Sequence, residues 1–155
     1  MNDGIDIVQE VKELPKRARG RACVVLTHGY ESQKSWVEEL AAQADAQHLD
    51  LLDHFSSIPD LAVNIGQFTV QNLFALLGSM KGHKVLIVNG LEFLLATWTG
   101  QKNAIEQFAH QVEYWDRSPA LLFVMQYDGL LASREFVRYP QYRFVVDQQE
   151  TFALL

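Results

Sequence analysis

The sequence is poor in cysteine: Cys23 stands alone, so no internal disulfide can form, and its place in an apolar run marks it as a small buried hydrophobe. It also has no long apolar segment. The longest runs, 120–125 and 91–96, are strand- or turn-sized and far too short to cross a bilayer, so no membrane association is expected. Its start (Met1-Asn2-Asp3-Gly4) lacks the basic-then-apolar order of a signal peptide, and a cytoplasmic location is the expectation. The histidines, His28, His48, His54, His83 and His110, show no ligand pairing at helical or finger-like spacing, which argues against a zinc site. Nothing resembles a paired nucleophile and base; Ser35 is better explained by helix initiation than by acyl transfer.

A length of 155 residues suits one domain, read here as an N-terminal helix over 3–14, a core over 22–147 and a short apolar tail over 152–155. The share of hydrophobic residues, 48% against 21% charged, is enough for a core and too high for a disordered chain. A net charge of −6 argues against independent, non-specific binding of nucleic acid. The cations are uneven, however: Lys12, Lys16, Arg17, Arg19 and Arg21 fall within ten positions. A solvated helix end explains them, and so does an electrostatic handle for a partner, with DNA involved only indirectly through a larger complex.

Along the chain, Ile5, Val8, Val11 and Leu14 mark one helical face, ended by Pro15. Residues 22–27 read as a strand apolar on both faces, the mark of a central strand in a helix-covered parallel sheet. A turn over 28–33 and a helix to about 47 follow. A second strand is predicted over 49–53, a polar connection over 54–60 and a helix over 66–80. Residues 84–88 form the clearest strand, 101–115 a helix, 120–126 another buried strand and 142–146 the last, while 129–137 is ambiguous. Strands alternating with helices predict an α/β fold with a parallel sheet of about five strands and right-handed crossovers. In such sheets ligands bind at the carboxyl ends of the strands, here after 27, 88 and 126.

The first of those ends carries a phosphate-loop-like stretch, His28-Gly29-Tyr30-Glu31-Ser32-Gln33-Lys34-Ser35. A Walker A loop requires Gly, four residues, Gly, Lys and Ser or Thr between a strand and a helix. The glycines let backbone N–H groups curl round phosphates, the lysine neutralises the outer ones, and the hydroxyl holds magnesium. Lys34 and Ser35 are in place, but His28 and Gln33 occupy the glycine positions, Gly29 is displaced by one, and Glu31 adds a negative charge. The strand at 85–88 ends in Asn89 where a Walker B strand has aspartate, with Glu92 three residues on. Asparagine keeps an oxygen ligand for magnesium and loses the charge. The same Asn89-Gly90 pair also reads as a plain turn.

In this order of elements the sequence resembles the small P-loop protein of bacteriophage-exclusion (BREX) defence systems. The resemblance rests on the Lys-Ser loop, on Asn89-Gly90-Leu91-Glu92 followed by Phe-Leu-Leu, on the buried strand ending at Gln126, and on Tyr139-Pro140-Gln141-Tyr142-Arg143. Members carry Asp-Asn-x-Glu and Pro-Glu-Tyr-Arg at the corresponding places; this chain departs at both loop glycines and at the Walker B acid. The resemblance implies a P-loop NTPase-like domain in a phage-defence setting, with larger defence-system proteins, among them an ATPase, as partners. On this basis Gly29, Ser32, Gln33, Lys34, Ser35, Asn89 and Gln126 are candidates for holding ATP or ADP, and Ser35 and Asn89 for magnesium. Glu92 and Arg143 are the catalytic candidates, with Arg134 and Arg138 weaker alternatives to Arg143. The expectation is a nucleotide-binding component that hydrolyses weakly or not at all, at most an ATPase that needs a partner. The rival expectation is a pseudo-nucleotidase adaptor that binds no nucleotide. The apolar run 91–98 fits core packing first, with an interface between copies of the chain or with a partner as the alternative.

Overall fold

The computed structural model describes residues 4–29, 33–80, 82–98 and 103–154. The described elements are α1 (Ile7–Glu13), β1 (Ala22–Thr27), α2 (Gln33–Ala44), β2 (Gln47–Asp50), α3 (Leu51–Ser57), α4 (Pro59–Val63), α5 (Val70–Gly78), β3 (Val85–Asn89), α6 (Glu92–Trp98), α7 (Ala104–Tyr114), β4 (Ala120–Gln126), α8 (Gly129–Ser133) and β5 (Val145–Asp147). The strands form one parallel sheet in the order β2-β3-β4-β1-β5. The expected parallel α/β architecture with five strands is therefore present. Among the described residues no helix is long and apolar enough to cross a membrane.

Strand order explains the layers. The connection from β1 runs to the far β2 edge, while those into β3, β4 and β5 run the opposite way. With right-handed crossovers, this reversal puts α2 on one face and α5, α7 and α8 on the other. The side chains of β1 confirm the division by alternating between two cores. Cys23 and Val25 pack with Val11, Val37 and Leu40. Val24 and Leu26 pack with Leu73, Phe108, Trp98 and Leu131 on the opposite face. Every residue of β1 and β3, and all of β4 but its last, is buried, as their continuous apolar runs require.

Several boundaries differ from the sequence expectation for local reasons. The second strand ends at Asp50 rather than 53, because the Asp50 carboxylate accepts a hydrogen bond from Asp53 N at 3.1 Å and starts α3. The predicted polar connection over 54–60 is thus largely helical. Ile5 belongs to no helix: its N–H donates to Glu150 O and it bridges Thr151, while Asp6 caps α1. The capping box of Thr69 and Asn72 starts α5 at 70 instead of 66. The last strand begins three residues later than expected and ends one later, at Asp147, and 129–133, within the stretch the sequence leaves ambiguous, is helical because Asp128 caps it. The run 91–98 is core: Leu91, Leu94 and Trp98 are buried, and Trp98 Nε1 donates to Phe68 O at 2.7 Å.

Candidate functional site

Connections leave β1 and β4 toward opposite faces, so the crevice of this sheet opens between the carboxyl ends of these two neighbouring strands. It is closed from below by side-chain hydrogen bonds. Gln33, 3% exposed at the start of α2, donates from Nε2 to Thr27 Oγ1 at 3.1 Å, and that hydroxyl donates to Met125 O at 3.2 Å. The residue at the second glycine position is thus an interior plug tying helix to sheet. His28, at the first, leaves the crevice toward β5. Its Nε2 lies 2.7 Å from Asp147 Oδ2, and its ring stacks on Tyr127 at 5.1 Å. Partial burial pushes the Asp147 carboxyl up, but the hydrogen bonds from His28 and from Gln149 N–H outweigh it and hold the group below the ordinary aspartate range.

Lys34 turns the other way, toward the β2 edge. Its Nζ lies 3.6 Å from Asp53 Oδ2 and 4.0 Å from Asp50 Oδ2, over a cleft of about 500 Å³ that Glu38, His48 and His54 also line. Gly29 and Ser35 are exposed on either side of the loop, and Ser32 lies outside the described residues.

At the end of β3, Asn89 is buried and its Oδ1 accepts a hydrogen bond from His48 Nε2 at 2.7 Å. Gly90 follows with φ +72°, and a Cβ there would lie 2.7 Å from Asp50 Oδ1. Only glycine combines this left-handed backbone with so close an approach. Glu92, first residue of α6, reaches to β4, where its Oε2 accepts from Gln126 N at 2.9 Å. Glu92 Oε1 and Gln126 Nε2 are both buried without a hydrogen-bond partner.

The structure therefore joins Gln33 to the end of β1, and Glu92 to Gln126, while sending Lys34 and Asn89 toward β2. Arg143 lies elsewhere. It is exposed two residues before β5, at the amino end of the sheet, beside Arg17, Glu10 and Tyr142. Arg138 shares that end, bonding to Tyr139, while Arg134 pairs with Glu106 and Glu113. Sequence reasoning missed Asp50, Asp53, His48 and Asp147. His48, Asp50 and Asp147 meet the candidates through strand pairing, such as the register of Asp50 with Asn89, and Asp53 does so from α3. Among the described residues, no group of three or more His, Cys, Asp or Glu side chains is arranged to hold a metal ion.

No protein-family model matches the chain, and no curated protein matches it significantly. The class defined by the fold is that of a five-stranded parallel α/β domain with its crevice between β1 and β4.

Proposed function

We propose that this chain is a P-loop-like pseudo-nucleotidase, an adaptor of a phage-defence assembly that works through its surfaces rather than by hydrolysing ATP. The observation that carries this reading is the setting of Lys34, whose ammonium group has two carboxylates within 4.0 Å. An exposed ion pair is itself worth only about 0–1 kcal/mol and would yield to a triphosphate. The field around it matters more. At an effective dielectric of about 20, an ammonium at about 3 Å attracts a unit negative charge by roughly 5–6 kcal/mol, and each carboxylate at about 6 Å repels it by roughly 3 kcal/mol. The two carboxylates cancel the lysine.

The other described residues fit magnesium and a triphosphate no better. The Asn89 oxygen is occupied by His48, and Gln33 is committed to Thr27. Glu92, Asp128, Asp147 and Glu150 add negative charge at the same end of the sheet. The strand order supports the P-loop-like reading, since it makes β4 the neighbour of both β1 and β3 and so brings the ends at Thr27, Asn89 and Gln126 side by side. Exposed apolar side chains suit an adaptor: Val63 and Val137 are 80% and 75% exposed, with Leu130 and Tyr127 beside the crevice.

Calorimetric titration of the purified protein with ATP and ADP, with and without magnesium, tests the proposal. The expected outcome is no saturable binding at nucleotide concentrations up to about 0.1 mM, and no measurable turnover. Sub-micromolar binding, or turnover on the order of 1 per second that Lys34→Ala abolishes, overturns it. One observation favours the rival reading of a weak nucleotide binder. The orphaned atoms of Glu92 and Gln126 are unsatisfied polar groups of the kind a bound molecule would complete. On that reading Glu92→Gln changes the titration; on the adaptor reading it leaves it flat.

A further inference from the structure

Because all five strands are parallel, the residues preceding them meet at one end of the sheet. Arg17, Arg19 and Arg21 precede β1, Lys84 precedes β3, Arg117 precedes β4, and Arg138 and Arg143 precede β5. Among the described residues only one of these seven, Arg17, forms an ion pair, with Glu10 at 3.5 Å. Arg19, Lys84, Arg117, Arg138 and Arg143 are all exposed. Six carboxylates share this rim, Glu10 beside Arg17 and five more, against nine cations once Lys16 and Arg134 join the seven. Glu13 faces Lys16 at 3.6 Å, Glu113 is buried and bonded to Arg134, Asp116 and Glu135 are exposed, and Asp45 lies at the β2 edge.

Several of these guanidinium groups lie over aromatic rings. Arg17 lies 4.4 Å over Tyr142, Arg138 lies 4.2 Å over Tyr114 and 5.4 Å over Tyr139, and Arg117 lies 5.4 Å over Trp115. Arg138 Nε donates to the Tyr139 hydroxyl at 2.9 Å. Arg17 is largely spent on Glu10 and Gly20 O, so the donors open to a second partner are those of the exposed Arg19, Arg117, Arg138 and Arg143, and a side chain already held against a ring loses less rotamer entropy when that partner binds.

We propose that the amino end of the sheet is a sequence-independent docking surface for duplex DNA, held through its phosphate backbone. Size favours a polyanion over a single phosphate. From β3 to β5 the row covers three strand spacings of about 4.8 Å, roughly 14 Å, while duplex DNA carries about one charge per 1.7 Å of axis. Duplex is favoured over single strand because the aromatic faces are taken. Among the described residues of this end, Tyr114, Tyr139 and Tyr142 each carry an arginine over the ring, the His110 ring also lies 4.2 Å from Tyr114, and Trp115 is buried, which leaves little ring surface for bases to stack on. What the surface offers is cationic donors, which position a backbone without reading its sequence. Asp50, Asp53, Glu92, Asp128, Asp147 and Glu150 at the other end orient the approach.

The test is fluorescence anisotropy of the whole protein with a labelled 20-base-pair duplex across a salt series. With about four phosphates neutralised, affinity should fall by roughly 100-fold from 50 to 200 mM salt. The triple variant Arg19→Gln, Arg117→Gln, Arg143→Gln should flatten the log–log salt slope by about three, whereas Lys34→Gln, a charge lost at the opposite end, should leave it unchanged. If the triple variant does not melt like wild type, the double variant Lys84→Gln, Arg143→Gln replaces it, with a slope change of about two. Absence of duplex binding at 50 mM salt, tighter binding of the single strand, equal binding of polyglutamate, or a slope that the surface variants do not alter overturns the proposal.

Discussion

The two ends of one sheet carry opposite chemistry. The carboxyl end, where α/β folds usually place ligands, gathers Asp50 and Asp53 beside Lys34 and Glu92, Asp128, Asp147 and Glu150 farther along the sheet, and its polar side chains are largely spent on one another. The amino end gathers arginines before β1, β4 and β5, and few of them have a carboxylate partner. Strand polarity makes the segregation possible, because in a parallel sheet every residue before a strand shares one end and every residue after shares the other. A modest net charge therefore says little about what one face of such a domain can bind.

The contrast presumes that one rigid sheet carries both ends, and Cys23, buried within β1 between them, tests this. Burial pushes its thiol up to about 12, against about 8.5 for an exposed cysteine. Since the thiolate is the reactive form, labelling by a thiol reagent at pH 8 should be slower in the native protein than in urea by roughly three orders of magnitude or more. Fast labelling of the native protein would mean that the sheet opens between its ends.

With labelling of Cys23 as a reporter of opening, glycines at the two ends can be compared. Gly90 and Gly82 both have positive φ, +72° and +95°. A Cβ at Gly90 would meet Asp50 Oδ1 at 2.7 Å and the backbone N of Leu52 at 3.2 Å, whereas one at Gly82 would meet nothing within 4 Å. Gly90→Ala should cost about 3 kcal/mol, combining backbone strain with overpacking, and Gly82→Ala about 1 kcal/mol from strain alone. Urea melts of both variants check this. Equal costs would show that the packing of Gly90 against the start of α3 is not the constraint.

Much of the fold was legible because β1, β3 and β4 are apolar on both faces and alternate with helical segments, a combination that fits a helix-covered parallel sheet. The turn to helix at Asp50 was not, since Leu49 and Leu51 suit a strand until the Asp50 carboxylate is seen capping α3. Nor was α6 read as helix: a short run such as 92–98 lacks a clean period, and its core role appears only once Trp98 reaches Phe68 O. The candidate site was legible as a set of residues along the chain and not as an arrangement. The direction of Lys34 depends on Asp50 and Asp53, which a different strand and helix supply. The basic rim was visible only as its first part, Lys12 to Arg21; Lys84, Arg117, Arg138 and Arg143 join it through topology.

The smallest expected effect concerns the acid side of the carboxyl end. The Asp147 carboxyl lies below its ordinary value of 3.8 in the folded chain. The sign follows from linkage. A depressed carboxyl contributes stability that is fully present above the unfolded value and is lost as the pH falls through the folded one. Between about pH 5 and pH 2 part of the fall in melting temperature of the wild type therefore belongs to this group. Asp147→Asn should flatten that branch slightly and leave melting near pH 7 lower by no more than a few degrees. His28 supplies the hydrogen bond from across the end of the sheet, at 2.7 Å, so His28→Gln should flatten the same branch and the double variant should add little. Additive effects of the two substitutions would show that His28 and Asp147 act separately. In that case the tie between the loop after β1 and the end of β5 would lose its support, and with it part of the reason for calling this end closed.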